Sequence, residues 1–157
     1  MQANPRRWRA LSAARQCLLG ACLALAACSH RPEVLIRSAA GSVTIPVEVA
    51  DTPESRARGL MYRNDLSAAA GMLFIFPNET QQQFWMKNTP LPLDIVFIGK
   101  DLRIAGVLAN ARPFTTTPLR VEAPSQYVLE VHAGFCAQHG IAAGDRVEFR
   151  RVAESGA

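Results

Sequence analysis

Ile95-Val96-Phe97-Ile98-Gly99-Lys100-Asp101-Leu102-Arg103-Ile104-Ala105-Gly106-Val107-Leu108 is the stretch that decides the fold. An apolar run from Ile95 to Ile98 has the length and branching of a buried strand. Gly99-Lys100-Asp101 is a tight turn, and Leu102 to Leu108 is the returning partner, so the whole reads as a β-hairpin. The chain before it has the same grain. Gly71 opens Met72-Leu73-Phe74-Ile75-Phe76, a buried strand that Pro77 is expected to stop. Gln81 to Lys87 is a further strand candidate, with Phe84 and Met86 on one side and Trp85 and Lys87 on the other.

Further out, Val34–Arg37 and Val43–Ala50 read as two strands around Ala39-Ala40-Gly41-Ser42. Val43, Ile45, Val47 and Val49 share one face of the second strand, and Pro46 marks a sheet edge because it has no N–H for a ladder. Thr52-Pro53-Glu54 starts a helix that runs to about Tyr62. Thr52 caps it, Pro53 suits its first turn, and Ala57, Leu60 and Met61 form its apolar stripe. After the hairpin, Ala109 to Ser125 is the longest segment without periodicity, which in a small domain marks a functional or mobile loop. Tyr127–Val131 is a strand, 133–140 a short helix or turn, and Arg146–Val152 a final strand. About seven short strands and one short helix near the N-terminus make a β-rich α+β chain, expected to fold as a small, twisted, partly closed antiparallel barrel.

The first 27 residues have another character. Arg6, Arg7, Arg9 and Arg15 precede an apolar stretch from Cys17 to Ala27, and Leu25-Ala26-Ala27-Cys28 resembles a bacterial lipobox. The stretch is too short to span a bilayer, which takes ~20 residues. Residues 1–27 are therefore read as a lipoprotein signal peptide, Cys28 as the lipidated residue and 28–33 as a short tether. The single domain then covers 34–152, and 153–157 is a tail. Leu19-Gly20-Ala21-Cys22 also fits a lipobox, but it leaves a shorter apolar stretch after Arg15. Ser29, not Asp, follows Cys28, which by resemblance to Gram-negative sorting favours the outer membrane, facing the periplasm. The implied partner is the membrane, through the lipid on Cys28.

The formal charge of +4 belongs to this leader. Without it the chain has thirteen basic and thirteen acidic side chains, so nothing suggests nucleic acid as a partner. Cys136 is the one cysteine left besides Cys28, which rules out an internal disulfide and reads most simply as a small core residue.

Several blocks in order resemble a known family. They are Arg56-Ala57-Arg58-Gly59-Leu60-Met61-Tyr62-Arg63, Gly71-Met72-Leu73-Phe74, Phe84-Trp85-Met86-Lys87-Asn88-Thr89 and Pro92-Leu93-Asp94-Ile95-Val96-Phe97-Ile98. Val128-Leu129-Glu130 with Ala133-Gly134, then Gly140-Ile141 and Gly144-Asp145, complete the set. The chain from about Val34 to Arg150 is similar to the domain of unknown function 192 family, also called UPF0127. The resemblance implies a compact β-rich domain, often secreted, and supplies no reaction.

Function therefore has to be read from the residues. Trp85, Lys87, Asn88 and Asp94 lie within ten residues of one another. They could form a pocket floored by Trp85, with Lys87 and Asp94 orienting a small ligand. They could equally be structural, with Asp94 accepting from N–H groups of the Asn88-Thr89-Pro90 turn, Asn88 bracing that turn and Trp85 in the core. The structural reading weighs somewhat more. Arg58 and Glu130 form a second polar pair, either a buried link between helix and barrel or a site for a carboxylate or phosphate. Met61, Met72 and Met86 raise Cu(I) and His132, Cys136 and His139 raise another metal, but apolar runs and glycine interruptions favour packing, and no metal or cofactor is assigned. No nucleophile or phosphate-loop motif is present.

Three readings follow. The first is an envelope binding module for a small ligand or an envelope protein, acting near Trp85 and Asp94. The second is a hydrolase or lyase using Asp94 or Glu130. The third is a structural accessory of an envelope complex, with the 109–125 loop as its contact surface.

Overall fold

The computed structural model describes residues 31–152. The segment read as a signal peptide, Cys28, His30 and residues 153–157 lie outside the described residues. Within them the strands are β1 (Glu33–Ser38), β2 (Gly41–Ala50), β3 (Gly71–Thr80), β4 (Leu93–Ile98), β5 (Ile104–Ala111), β6 (Ser125–His132) and β7 (Arg146–Arg150). Two short helices interrupt them, α1 (Pro53–Arg58) and α2 (Phe135–Gln138). One seven-stranded sheet runs in the order β5-β4-β6-β3-β2-β1-β7 and curls into a half-barrel. Its two ends meet at one rim, where Ile104 N–H donates to Asp145 O at 3.0 Å and Val147 N–H to Leu102 O at 2.8 Å.

The hairpin read from 95–108 is β4–β5, and its pairing extends to Leu93↔Ala111. One pair departs from the expected antiparallel pattern: β2 and β3 are parallel, Val47 to Ala50 against Gly71 to Phe74. Such a pair needs a long crossover, and residues 51–70 with α1 provide it. Pro46 sits where β2 changes partner. Residues 41–46 pair with β1, and pairing with β3 begins at Val47, so the missing N–H falls at a local edge.

Several boundaries differ from expectation. β5 runs from Ile104 to Ala111 rather than from Leu102 to Leu108, with Leu102 at φ 57° in the turn, and β7 ends at Arg150 rather than Val152. The helix stops at Arg58 rather than near Tyr62, because Gly59 turns to φ 46° and closes it with an N–H bond to Ser55 O at 2.9 Å. β3 runs past Pro77 to Thr80, since the register against β6 shifts between Ile75 and Thr80 and Pro77 lies inside that irregularity. Residues 81–87 do not form a strand. Only Phe84 bridges, to Leu119, and Met86 N–H reaches Thr115 O at 2.9 Å. These bonds fasten the middle of the long loop to the 81–89 segment, and the two together cover the outer face of the sheet.

Both faces of the central strands are buried. Val34, Ile36, Ile45, Leu73, Val96, Leu129, Val131 and Val147 fill the inside of the curl with Phe135, Cys136 and Ile141. Met72, Phe74, Leu93, Ile95, Phe97 and Val128 face outwards and are covered by Leu60, Leu66, Met86 and Leu91. β6 lies between β3 and β4, and its residues alternate between these cores.

One carboxylate ties the inner core together. Asp94 is fully buried. Its Oδ1 accepts the Asn110 N–H at 2.8 Å, and its Oδ2 accepts the Cys136 N–H at 2.9 Å. Asn110 stands at φ 57° in the bulge where β5 gains a residue against β4, so its N–H needs a partner off the ladder. The Asp94 carboxylate therefore fixes that bulge and the first turn of α2 at once. Burial, followed by the negative charge of Asp94, pushes the Cys136 thiol up to about 12, which leaves it an unreactive core group.

Asp94→Asn keeps one acceptor and turns an NH2 group towards the other N–H. It should lower unfolding stability by about 2 kcal/mol, read as a lower urea midpoint at constant slope. A midpoint equal to that of the wild type would contradict the staple.

Candidate functional site

A cleft of about 310 Å³ opens on the outer face of the sheet between the end of α1, β3, β6 and residues 83–89. Aromatic rings build its walls. Phe84 stands edge-on to Phe74 at 5.0 Å, with Phe76 at 6.1 Å and Phe97 at 6.0 Å. Gly59 lets the end of α1 approach, because a Cβ there would lie 3.0 Å from Phe74 Cζ. Arg56 holds the helix against β3. Its Nη1 donates to the carbonyl oxygens of Asp51 and Ile75, and its guanidinium lies 5.3 Å from the Phe76 ring centre. Arg58 is exposed at the margin. Trp85 stands at the mouth, 49% exposed, with Lys87 Nζ 5.2 Å over its ring.

Glu130 lines the same cleft and is 4% exposed. The register places it beside Met72 on β3 and Ile95 on β4, so its carboxyl is flanked by apolar side chains on both sides. Its side-chain oxygens form no hydrogen bond or ion pair among the described residues. Loss of water around it pushes its carboxyl up to about 8, and no neighbouring cation offsets the effect. At neutral pH the group is therefore largely protonated, a hydrogen-bond donor that becomes an anion only slightly above neutrality.

Of the residues singled out in the sequence, Arg58, Trp85 and Glu130 come together in this cleft. Arg58 and Glu130 do not form the buried link read from the sequence, because Arg58 stays at the surface. Asp94 is not in the cleft. Asp94 pairs with Val131 in the ladder while Ile95 pairs with Glu130, so the Asp94 and Glu130 side chains leave opposite faces of the sheet. Asp94 and Glu130, the two acids of the hydrolase or lyase reading, are thus split between the barrel interior and the cleft, and Lys87 is at the surface. Asp94 accepts from the backbone N–H groups of Asn110 and Cys136, not from the 88–90 turn expected of it.

Asn88 does brace its surroundings. Its Nδ2 donates to Tyr62 Oη at 2.7 Å and its carbonyl accepts the Tyr62 N–H at 2.7 Å. Trp85 is at the surface and not in the core. Met72 and Met86 pack in the outer core, while Met61 lines the cleft. His132 Nε2 contacts Leu66 O, and the His139 ring lies 4.4 Å from that of Phe135. Among the described residues no three His, Cys, Asp or Glu side chains gather. Sequence reading missed Arg56, Phe74, Phe76, Gln83, Phe84 and Thr89 as cleft residues. The signal lay in the i, i+2 aromatic pair Phe74 and Phe76, which puts two rings on one strand face.

The family model DUF192, an uncharacterized ACR, matches residues 35–149. The chain belongs to the DUF192 family. A crystal structure of a protein of unknown function from Novosphingobium aromaticivorans is 40% identical, with a TM-score of 0.72 over 74% of this chain and 83% of that one. A crystal structure of a "putative transcription regulator" from Sinorhizobium meliloti is 37% identical, with a TM-score of 0.74 over 78% of this chain and 95% of that one. Among curated proteins, none matches. In this DUF192 chain the matched region contains every cleft residue and all of the sheet but the first two residues of β1 and the last of β7.

The buried carboxyl has a consequence for stability. Its value in the fold, about 8, lies above the ordinary 4.5, so the native state holds a proton that the unfolded chain releases. Glu130's favourable contribution is complete below about 4.5 and is lost as pH rises through about 8. Glu130→Gln should therefore unfold at a higher urea concentration than the wild type at pH 9, with the gap shrinking steadily towards pH 4.5. A gap that does not change with pH would contradict the burial of an uncompensated carboxyl.

Proposed function

We propose that this DUF192 chain is a lipid-anchored envelope module that binds a small molecule with an apolar body in the cleft above Glu130. The observation that carries the reading is a buried, unpartnered carboxyl at an opening walled by Phe74, Phe84 and Trp85. Native proteins leave few buried polar groups unsatisfied, and one left so at an open cleft calls for a partner from outside the fold or a catalytic role. A concave apolar wall with a few convergent polar groups is the usual form of a small-molecule site. Arg56 and Gly59 hold the wall in place without closing it. Placement in the envelope is supported by the lipobox at Leu25–Cys28 and the basic, apolar stretch before it. The tether from Cys28 to β1 spans at most about 18 Å, which would keep the cleft close to the membrane surface.

Two variants test the two halves of the reading. Cys28→Ser should lose its acyl mass and leave the membrane fraction. Ala57→Trp places an indole at the cleft margin, on the exposed side of α1. Native mass spectrometry of protein extracted from the source envelope should show an extra mass on the wild type that Ala57→Trp lacks. Identical spectra for the two would contradict a ligand in this cleft.

A further inference from the structure

We propose that the occupant of the cleft carries a positively charged nitrogen, an ammonium or guanidinium on an apolar body, and that Glu130 receives that charge. The inference rests on the cleft being a binding site and goes on to name its ligand class. Glu130 is a buried polar group of the cleft and has no partner among the described residues. Placing an uncompensated anion in an apolar site is costly, and an occupant that supplies the missing cation removes that cost. A neutral or anionic acceptor at the same depth can take one hydrogen bond from the protonated carboxyl, whereas only a cation pairs with its ionised form.

The walls favour the same charge. Ring faces attract cations through the negative π surface. The two outermost rings already do so within the protein, Phe76 under Arg56 at 5.3 Å and Trp85 under Lys87 at 5.2 Å. Those side chains take up the outer faces. Phe74 and Phe84, further in, have no such cation and lie on the cleft wall that Glu130 shares.

The groups facing Glu130 can be taken element by element. From β3 and β4 come Met72 and Ile95, both uncharged. The 83–89 segment contributes Gln83 and Thr89, also uncharged. On β6 itself, His132 shares the face, and its Nε2 is engaged with Leu66 O. α1 contributes Arg56, tied to Ile75 O and the Phe76 ring, and Arg58, which is exposed. No cation of the protein is set against the carboxyl, so the position is open to one from outside. Arg58 at the rim suits a carboxylate at the other end of an amphoteric ligand.

The test compares benzylammonium, benzyl alcohol and benzoate, which share a ring and differ in charge. Trp85 reports binding, because the chain's other tryptophan, Trp8, lies in the leader. With the full mature chain at pH 7.5, benzylammonium should bind about tenfold more tightly than benzyl alcohol. Its calorimetric enthalpy should vary with the ionisation enthalpy of the buffer, because a proton leaves Glu130 on binding. Glu130→Gln should bring the ammonium down to the affinity of the alcohol and leave the alcohol unchanged. Equal affinity of ammonium and alcohol in the wild type, or tightest binding of benzoate, would overturn the cationic ligand and leave the cleft reading standing. No fluorescence or calorimetric response to any of the three would overturn the cleft reading itself.

Discussion

The register of β6 between β3 and β4 is the constraint on which the molecule depends. Glu130 is opposite Met72 on one side and Ile95 on the other, while Val131 is opposite Gly71 and Asp94. Because side chains alternate strictly along a strand, this pairing commits Val131 and Asp94 to the inside of the curl and Glu130 to the outside. A slip of one residue would bury Glu130 in the barrel and turn Leu129 and Val131 outwards. The close approach of the strands helps to hold the register. A Cβ at Gly71 would stand 2.6 Å from Glu130 O, so only glycine fits against β6 at that point.

The two buried carboxyls show how differently one sheet can treat the same chemistry. Asp94 receives two backbone N–H groups and joins the β5 bulge to α2, so its role is completed within the fold. Glu130 receives no such bond among the described residues, and burial pushes its carboxyl up to about 8, which discourages charge there. Only the second leaves chemistry for another molecule to complete, and the aromatic wall beside it limits what that molecule can be.

Much of the fold was legible in the chain. The β4–β5 hairpin could be read because its two apolar runs flank a glycine turn, and α1 because Thr52, Pro53 and Glu54 form a local start signal. Its end was misplaced because the apolar stripe at Leu60 and Met61 continues past Gly59, where the backbone turns away. Pro77 was overvalued as a stop because a bulge in the sheet absorbs its missing N–H. Gln81–Lys87 alternates like a strand, and the alternation is real. Trp85 and Lys87 are exposed and Met86 is buried, but only Phe84 finds a ladder partner. The site was less legible. Trp85, Arg58 and Glu130 were named, but nothing local places Glu130 and Asp94 on opposite faces, because that depends on pairing between distant strands. The partners of Asp94 are backbone groups 16 and 42 residues away, which no side-chain pattern advertises.

The central claim is that Glu130 is buried in the cleft without a protein partner, and its ionisation tests this most directly. A carbon-13 NMR titration of the glutamate side-chain carboxyls, with Glu130→Gln to assign the signal, gives the midpoint for this one group in the unliganded domain. A midpoint close to 8 is the predicted result. A midpoint at the ordinary value near 4.5 would mean that the carboxyl is solvated or paired, and would contradict the account.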